Sequence, residues 1–332
     1  MPVARAATRA AARPTGRPGT PPAVVRLAVV AIGSTSVHFT AAAVSEGRLR
    51  TLADRSVLLG LGSAVDANGH LPADRLEALA ETLREYAATA AAVRAGPLTV
   101  MGTEPLRRAG NVAAIAAAVH EAASTPLLLL GHDEEALLAL YAVLGGRQPA
   151  VETLVLDIGG GSSEYALARP HGAPSLDVVR TGAARLTDGV VRHDPPTEDE
   201  FLALRASAAE AVARTLPGAP ARAIMVGGTA TNLLRMVSGS GRWRSLTRER
   251  LEDVIRTVEH ATVAGLVASY PIRPERARIL PGGAVLAEAF LERYGLVSAT
   301  ISRRSLREGA ILARARAGDA WRERLPGLVG GG

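Results

Sequence analysis

Two stretches of this 332-residue chain have the residue types needed to hold several phosphate groups at once. Thr153-Leu154-Val155-Leu156-Asp157-Ile158 is an apolar, strand-like run that ends in Gly159-Gly160-Gly161-Ser162-Ser163. Without Cβ atoms, such glycines let successive backbone amides turn toward one point as an anion nest, and the hydroxyls of Ser162 and Ser163 add donors. Ile32-Gly33-Ser34-Thr35-Ser36, after the run Leu27–Ala31, is the same device with one glycine. A tight hairpin explains either loop alone; two of them facing each other across a cleft would suit a ligand with several phosphates. Gly227-Gly228-Thr229-Ala230-Thr231 is a third glycine turn, from a strand into a helix whose N-terminus would favour a further phosphate. Close strand–helix packing is the competing explanation there, and the dinucleotide spacing G-x-G-x-x-G is missing.

Acids stand beside these loops. Asp157 ends its strand where it could reach a metal held on phosphate oxygens, and Glu164 lies on the outgoing strand. Glu134 and Glu135 open a helix, where acids also offset the helix dipole. Arg107 and Arg108 are expected near the N-terminal end of another helix; cations are disfavoured there, which points to anion binding. The seven histidines, His38, His70, His120, His132, His171, His193 and His260, show no metal-ligand spacing and read mostly as surface or turn residues.

The elements that must position these groups follow from periodicity. Each glycine loop sits between two strand-like runs, and the two hairpins lie a domain's length apart, which suggests a duplicated fold with a cleft between halves. Arg48–Leu58 alternates as a strand does, Asp66-Ala67-Asn68-Gly69 reads as a turn, and Pro72 with Asp74 opens an amphipathic helix to about Ala95. Strands are expected at 98–103 and 126–130, helices at 105–123 and 133–144. In the second half, Thr197 and Glu200 form a capping box, Ala223–Val226 is a buried strand, and helices follow at about 247–269, 282–293 and 304–315. Alternation of this kind predicts α/β layers.

Composition narrows the chemistry. With 48% apolar but 3% aromatic residues, the core must be built from Ala, Val and Leu. There is no cysteine, so disulfides, thiol nucleophiles and thiolate metal sites are excluded. There is also no lysine, which removes Schiff-base chemistry and a P-loop lysine. Arg5, Arg9, Arg13 and Arg17 lie in an acid-free stretch, 1–23, and supply four of the six net positive charges. A basic stripe for specific nucleic-acid binding is therefore not expected. That stretch reads as a disordered Arg/Pro/Ala-rich tail, and no apolar run is long enough for a membrane span.

In order and spacing, the motifs resemble the exopolyphosphatase and guanosine-pentaphosphate phosphatase family of the actin/hexokinase-like superfamily. The residues that match are Ile32-Gly33-Ser34-Thr35-Ser36-Val37-His38, Thr103-Glu104-Pro105-Leu106-Arg107-Arg108-Ala109-Gly110-Asn111 and Gly131-His132-Asp133-Glu134-Glu135-Ala136. Leu156–Glu164, Thr181-Gly182-Ala183-Ala184-Arg185-Leu186-Thr187, Gly227–Thr231 and Leu306-Arg307-Glu308-Gly309 complete the series. The resemblance implies the short form, with two duplicated actin-like (ribonuclease H-like) α/β domains and an interdomain cleft. The expected divisions are 24–137 for domain I and 138–318 for domain II, with the helix near 304–315 packing back on domain I and a tail at 319–332. It further implies a cytoplasmic phosphoanhydride hydrolase acting on inorganic polyphosphate or on guanosine penta- or tetraphosphate, and homodimers.

By position, Glu135 matches the family's water-activating glutamate and Arg107 the arginine on the phosphate chain. Gly33, Ser34, Thr35, Ser36, Gly159, Gly160, Gly161, Ser162, Ser163, Gly228 and Thr229 match its phosphate-binding loops. Asp157 and Glu164 match its acids for Mg²⁺ (or Mn²⁺). One departure stands out: the first loop of the family usually opens with Asp, and here the residue is Ala31. The usual Asn of that loop is Thr35, and the arginine often following Glu-Glu-Ala is Leu137. Ala31 opens a second reading, a weak or silent sensor that binds (p)ppGpp or polyphosphate without turning it over. A sugar or acetate kinase on the same fold is a third.

Overall fold

The computed structural model describes residues 24–96, 98–237 and 244–330; the expected tail at 1–23 lies outside them. The two Ile-Gly runs each become a hairpin. Strands β1 (Val25–Ile32) and β2 (Ser36–Ser45) pair antiparallel and lead into β3 (Arg48–Leu58). Strands β4 (Leu98–Gly102) and β5 (Leu127–Leu129) add in parallel, giving the order β3-β2-β1-β4-β5. The second sheet repeats the plan. Its strands β6 (Thr153–Ile158), β7 (Ser163–Ala168) and β8 (Ser175–Val179) form the antiparallel side, with β9 (Arg222–Val226) parallel to β6. The edge is made by β10 (Ser245–Thr247) and β11 (Ser298–Ile301), in the order β10-β11-β9-β6-β7-β8. The expected duplicated α/β architecture is therefore what the chain adopts.

Two helices lie between the sheets. His132–Leu144 packs on β6, β7 and β8, while Leu306–Ala317 packs on β1 and β2 and on the first helix. They cross where Gly309 meets Leu138, so closely that a Cβ at Gly309 would overlap the Leu138 carbonyl. Their apolar faces join Val29 and Ala31 of one sheet to Val155 and Ala166 of the other in a single buried cluster.

The structure differs from the sequence expectation at several points. The division expected after residue 137 falls inside the unbroken helix His132–Leu144. The expected tail at 319–332 contains the helix Trp321–Gly330, whose Trp321, Leu325 and Val329, spaced at four, are buried. The residues around Asp66–Gly69 close a helix, Leu61–Asn68, with Gly69 as its left-handed cap. The helix expected over 105–123 is two, Glu104–Arg108 and Val112–Ala123. The break is held by Gly110 N donating to Gly69 O at 2.9 Å and by the Asn111 amide pairing both ways with the Leu71 backbone. Arg107 and Arg108 consequently sit in the last turn of a short helix, where the dipole favours cations.

Candidate active site

The two glycine loops meet. A Cβ at Gly160 would lie 2.6 Å from Thr35 Oγ1 and 3.0 Å from Ser34 Cβ, so glycine is required for the tips to approach this closely. Each loop closes its own turn, Gly33 N to Ser36 O at 3.0 Å and Gly159 N to Ser162 O at 2.9 Å. The Thr181–Thr187 motif then fixes the second loop from behind. The amides of Ala183, Ala184 and Arg185, at the start of helix Ala183–Val190, donate to the carbonyls of Gly159 and Gly160 at 2.8–2.9 Å. With those carbonyls captured, the amides of Gly160 and Gly161, like those of Ser34 and Thr35, donate to no acceptor among the described residues. This is the arrangement an anion nest requires.

The hydroxyls divide their work. Ser162 Oγ donates to Glu164 at 2.6 Å and Ser163 Oγ to Thr181 O at 2.8 Å, so both steady the protein itself. Ser34 Oγ donates to Glu104 at 3.4 Å, and Ser36 Oγ accepts from Arg276 at 2.7 Å. Thr35 Oγ1 is buried and unpartnered. At the third turn, Gly227 takes φ +81° and lies against the Asp157 carboxylate, Arg276 covers Gly228, and Thr229 donates to Ile158 O at 2.7 Å.

Three acids converge on the second loop. Asp157 and Glu164 are cross-strand partners in the β6–β7 register, and such partners project from the same face. Glu135 comes down on them from the first turn of helix His132–Leu144. Burial and the Glu164 charge push the Asp157 carboxyl up to about 7. Burial, then Glu164, also hold Glu135 well above the ordinary carboxylate range, although Arg107 pulls it back. Arg107 donates to Glu135, to the Leu130 carbonyl and to the His132 ring, whose Nδ1 lies 2.9 Å from Glu164.

Cations line the opposite side. Arg276 donates to Ser36 and approaches His38 Nε2 at 3.5 Å; burial and neighbouring Arg273 and Arg235 pull its guanidinium down to about 10. Burial, then Arg307, Arg276 and Arg273, hold the His38 imidazole well below its ordinary value, so it is neutral. Beneath the loops, Arg185 bonds Glu104 at 2.7 Å and ties the two halves together.

A model of the Ppx/GppA phosphatase family matches residues 40–317. The chain belongs to that family. Relatives include exopolyphosphatase 1 of Mycobacterium leprae, 28% identical over 306 residues that cover 87% of this chain and 89% of that one. Exopolyphosphatase 2 of Mycobacterium tuberculosis is 26% identical over 318 residues, covering 88% and 99%. The fold is shared with the Ppx/GppA family member of Aquifex aeolicus (TM-score 0.77, 23% identity, 90% and 99% covered). It is shared too with an exopolyphosphatase of Cytophaga hutchinsonii (TM-score 0.79, 20% identity, 88% and 98% covered). The expected family, fold class and hydrolase class all agree with these likenesses. Among the described residues no helix is long and apolar enough to cross a membrane.

In this Ppx/GppA family chain a divalent cation has donors of suitable chemistry. Asp157 and Glu164 face each other on neighbouring strands, where two ionised carboxylates would repel, and carboxylate oxygens are the donors that such an ion takes. His132, Glu135 and Glu164 also present ligand atoms within 4.8 Å of one another. His132, grouped by sequence with histidines expected mostly at the surface or in turns, instead joins the site from three residues before Glu135 on the same helix, a spacing that was a usable signal. Glu104 and Arg307 lie within motifs that carry the resemblance but were given no role, and Arg276 lies in none of them; the fold brings all three to the loops.

Proposed function

We propose that the chain hydrolyses the terminal phosphoanhydride bond of inorganic polyphosphate or of pppGpp. The observation behind this reading is the position of Glu135. It is a buried carboxylate within 4.8 Å of Glu164, beside two abutting loops whose four amides have no partner among the described residues. A base in this position can orient a water for in-line attack and accept its proton as the phosphoryl group leaves. Its raised proton affinity, set by burial and Glu164, suits that task near neutral pH. Arg107 holds the carboxylate in place and offers its remaining face to phosphate oxygens. The amides of Ser34, Thr35, Gly160 and Gly161 bind the chain without adding charge of their own.

Asp157 and Glu164 would hold Mg²⁺ or Mn²⁺, which supplies neutralisation of the non-bridging phosphate oxygens. The test is release of phosphate from polyphosphate of defined length and from pppGpp, with and without Mg²⁺, by the protein and by Glu135→Gln. Release that is equal and at background in both proteins would sink the reading. A second reading, binding without turnover, is favoured by Ala31, which leaves the first loop without a carboxylate. It predicts saturable ligand binding, no phosphate release, and turnover gained in Ala31→Asp.

A further inference from the structure

The duplication allows the two hairpins to be compared residue by residue, and the second carries an acid pair where the first carries no charge. Beside the second loop, Asp157 stands opposite Glu164; at the same register beside the first, Ala31 stands opposite His38. Each hairpin is crossed by one of the two central helices. His132–Leu144 brings Glu135 and His132 to the acid pair, and Leu306–Ala317 brings Arg307 to the side of Ala31 and His38. Arg276 joins it through Ser36 and Gly228.

The basic side has unused binding capacity. Arg307 Nη1 is buried with no hydrogen-bond partner among the described residues, and so is Thr35 Oγ1 on the adjoining loop. The carboxylate nearest to Arg307, Glu308 at 3.9 Å, is already engaged in capping its helix through Ser305. Arg276 bonds a hydroxyl and an imidazole and has no direct ion pair among the described residues; the Asp157 charge acts on it and on Arg307 from the second hairpin without bonding either. A buried guanidinium donor without an acceptor is costly, and the Arg307 donor together with the unpaired Thr35 hydroxyl asks for an anion.

We propose that the cleft is split by charge: Arg307, Arg276 and Thr35 form an anion subsite for the phosphate next to the terminal one, and the divalent cation belongs to the second hairpin alone. The inference rests on the phosphate-chain reading of the site and adds a direction to it. With the base at Glu135, the terminal phosphoryl group lies toward the acids, and the phosphate that departs lies toward the arginines. There, guanidinium donors meet the charge that develops on the leaving oxygen. Ala31 is part of this design. A carboxylate at position 31 would face His38 and the guanidiniums around it, and would take the donors that the phosphate needs.

The subsite is tested by calorimetric titration of tripolyphosphate in EDTA, together with Mn²⁺ binding followed by electron paramagnetic resonance. The full chain is expected to bind tripolyphosphate without metal. Arg307→Met should weaken that binding about tenfold or more, as should Arg276→Lys, which keeps the charge but loses the fork. Ala31→Asp should weaken it about tenfold while leaving Mn²⁺ affinity within about threefold, and Ala31→Asn, equal in size but uncharged, should leave both unchanged. Tenfold tighter Mn²⁺ binding by Ala31→Asp, or metal-free binding indifferent to both arginine variants, would overturn the proposal. Should Arg307→Met fail to fold on thermal melting, the Ala31 pair decides alone. Failure of hydrolysis in every substrate would count against the proposed activity and leave these binding readouts standing.

Discussion

Asp157 and Glu164 face each other across the β6–β7 hairpin, two carboxylates at one register position with the Glu135 carboxylate above them. Burial and the Glu164 charge raise Asp157 from its ordinary value of 3.8 to about 7. A raised acid penalises the fold when it ionises. The penalty is absent below the unfolded value, grows as pH climbs from about 4 to about 7, and is constant above that. Asp157→Asn is therefore expected to melt several degrees above the parent at about pH 8 in EDTA, with the gap closing toward about pH 5. Saturating Mg²⁺ should stabilise the parent and not the variant. Thermal melts across that range check this, and a gap independent of pH would contradict it.

Burial and Glu164 raise the proton affinity of Glu135, and Arg107 opposes them. Its charge and its hydrogen bond are the forces that lower a carboxyl which burial, Glu164 and Asp157 all raise. If Glu135 is the base, as proposed, Arg107→Met should lower kcat by about a hundredfold and move the acid limb of the pH–rate profile to higher pH, because the carboxyl then holds its proton more firmly. Glu135→Gln should remove the limb together with the activity. An Arg107→Met profile with reduced rate and an unmoved limb would show that the arginine acts on substrate alone.

The parts of this molecule that could be read from sequence are those whose cause is local. The Ile-Gly steps announced both hairpins because a buried strand followed by glycine has few alternatives. Thr197 and Glu200 announced a helix start, and they bond reciprocally at 3.0 and 3.3 Å. The break at Ala109-Gly110-Asn111 was also local, since Gly and Asn end helices, but the apolar period of the flanking residues masked it. Ignoring it placed Arg107 and Arg108 at the wrong end of a helix and turned an ordinary dipole partner into an anomaly. Arg276 lies far from the loops in sequence and gave no local signal, because its partners Ser36 and His38 belong to the other half of the fold. Ala31 was recognised as a missing acid. Its physical meaning became visible only when the register set His38 opposite it and the helix above it supplied Arg307.

Gly309 is where the two central helices cross, and its Cα lies against the Leu138 backbone. A backbone carbonyl cannot rotate out of the way as a side chain can. Gly309→Ala should therefore destabilise the protein by about 1–3 kcal/mol, as overpacking does in well-filled cores, despite the gain in helix propensity. Glycine to alanine at Gly327, where an added Cβ meets nothing, serves as the control. Urea unfolding of both variants measures this, and a Gly309→Ala protein as stable as the parent would show that the crossing is loose.

Glu104 and Arg185 join the halves of the cleft just under the loops. Glu104 accepts from Arg185 at 2.7 Å, from Arg108 and from Ser34, and it lies so close to Gly161 that a Cβ there would overlap its carboxylate. Burial opposes its charge, yet the bonds from Arg108 and Arg185 prevail and hold it below the ordinary carboxylate range. Removing one partner of such a group strands the other. Glu104→Gln keeps the shape but leaves Arg108 and Arg185 to share Asp66, at 2.8 and 3.4 Å, as their remaining carboxylate, in a half-buried site where breaking a buried pair commonly costs about 3–5 kcal/mol. Partial exposure of Arg108 and Arg185 should bring the cost to about half of that. Because the carboxylate also props the loops against each other, its loss should raise KM for a phosphate-chain substrate more than it lowers kcat. The carboxyl is depressed in the fold, so its contribution is present above the unfolded value and fades as pH falls through the lower folded one. The stability gap between Glu104→Gln and the parent should accordingly be full at about pH 7 and shrink below about pH 4. A gap that persists undiminished in acid, or a KM equal to the parent's, would mean that the bridge neither depends on its charge nor positions the loops.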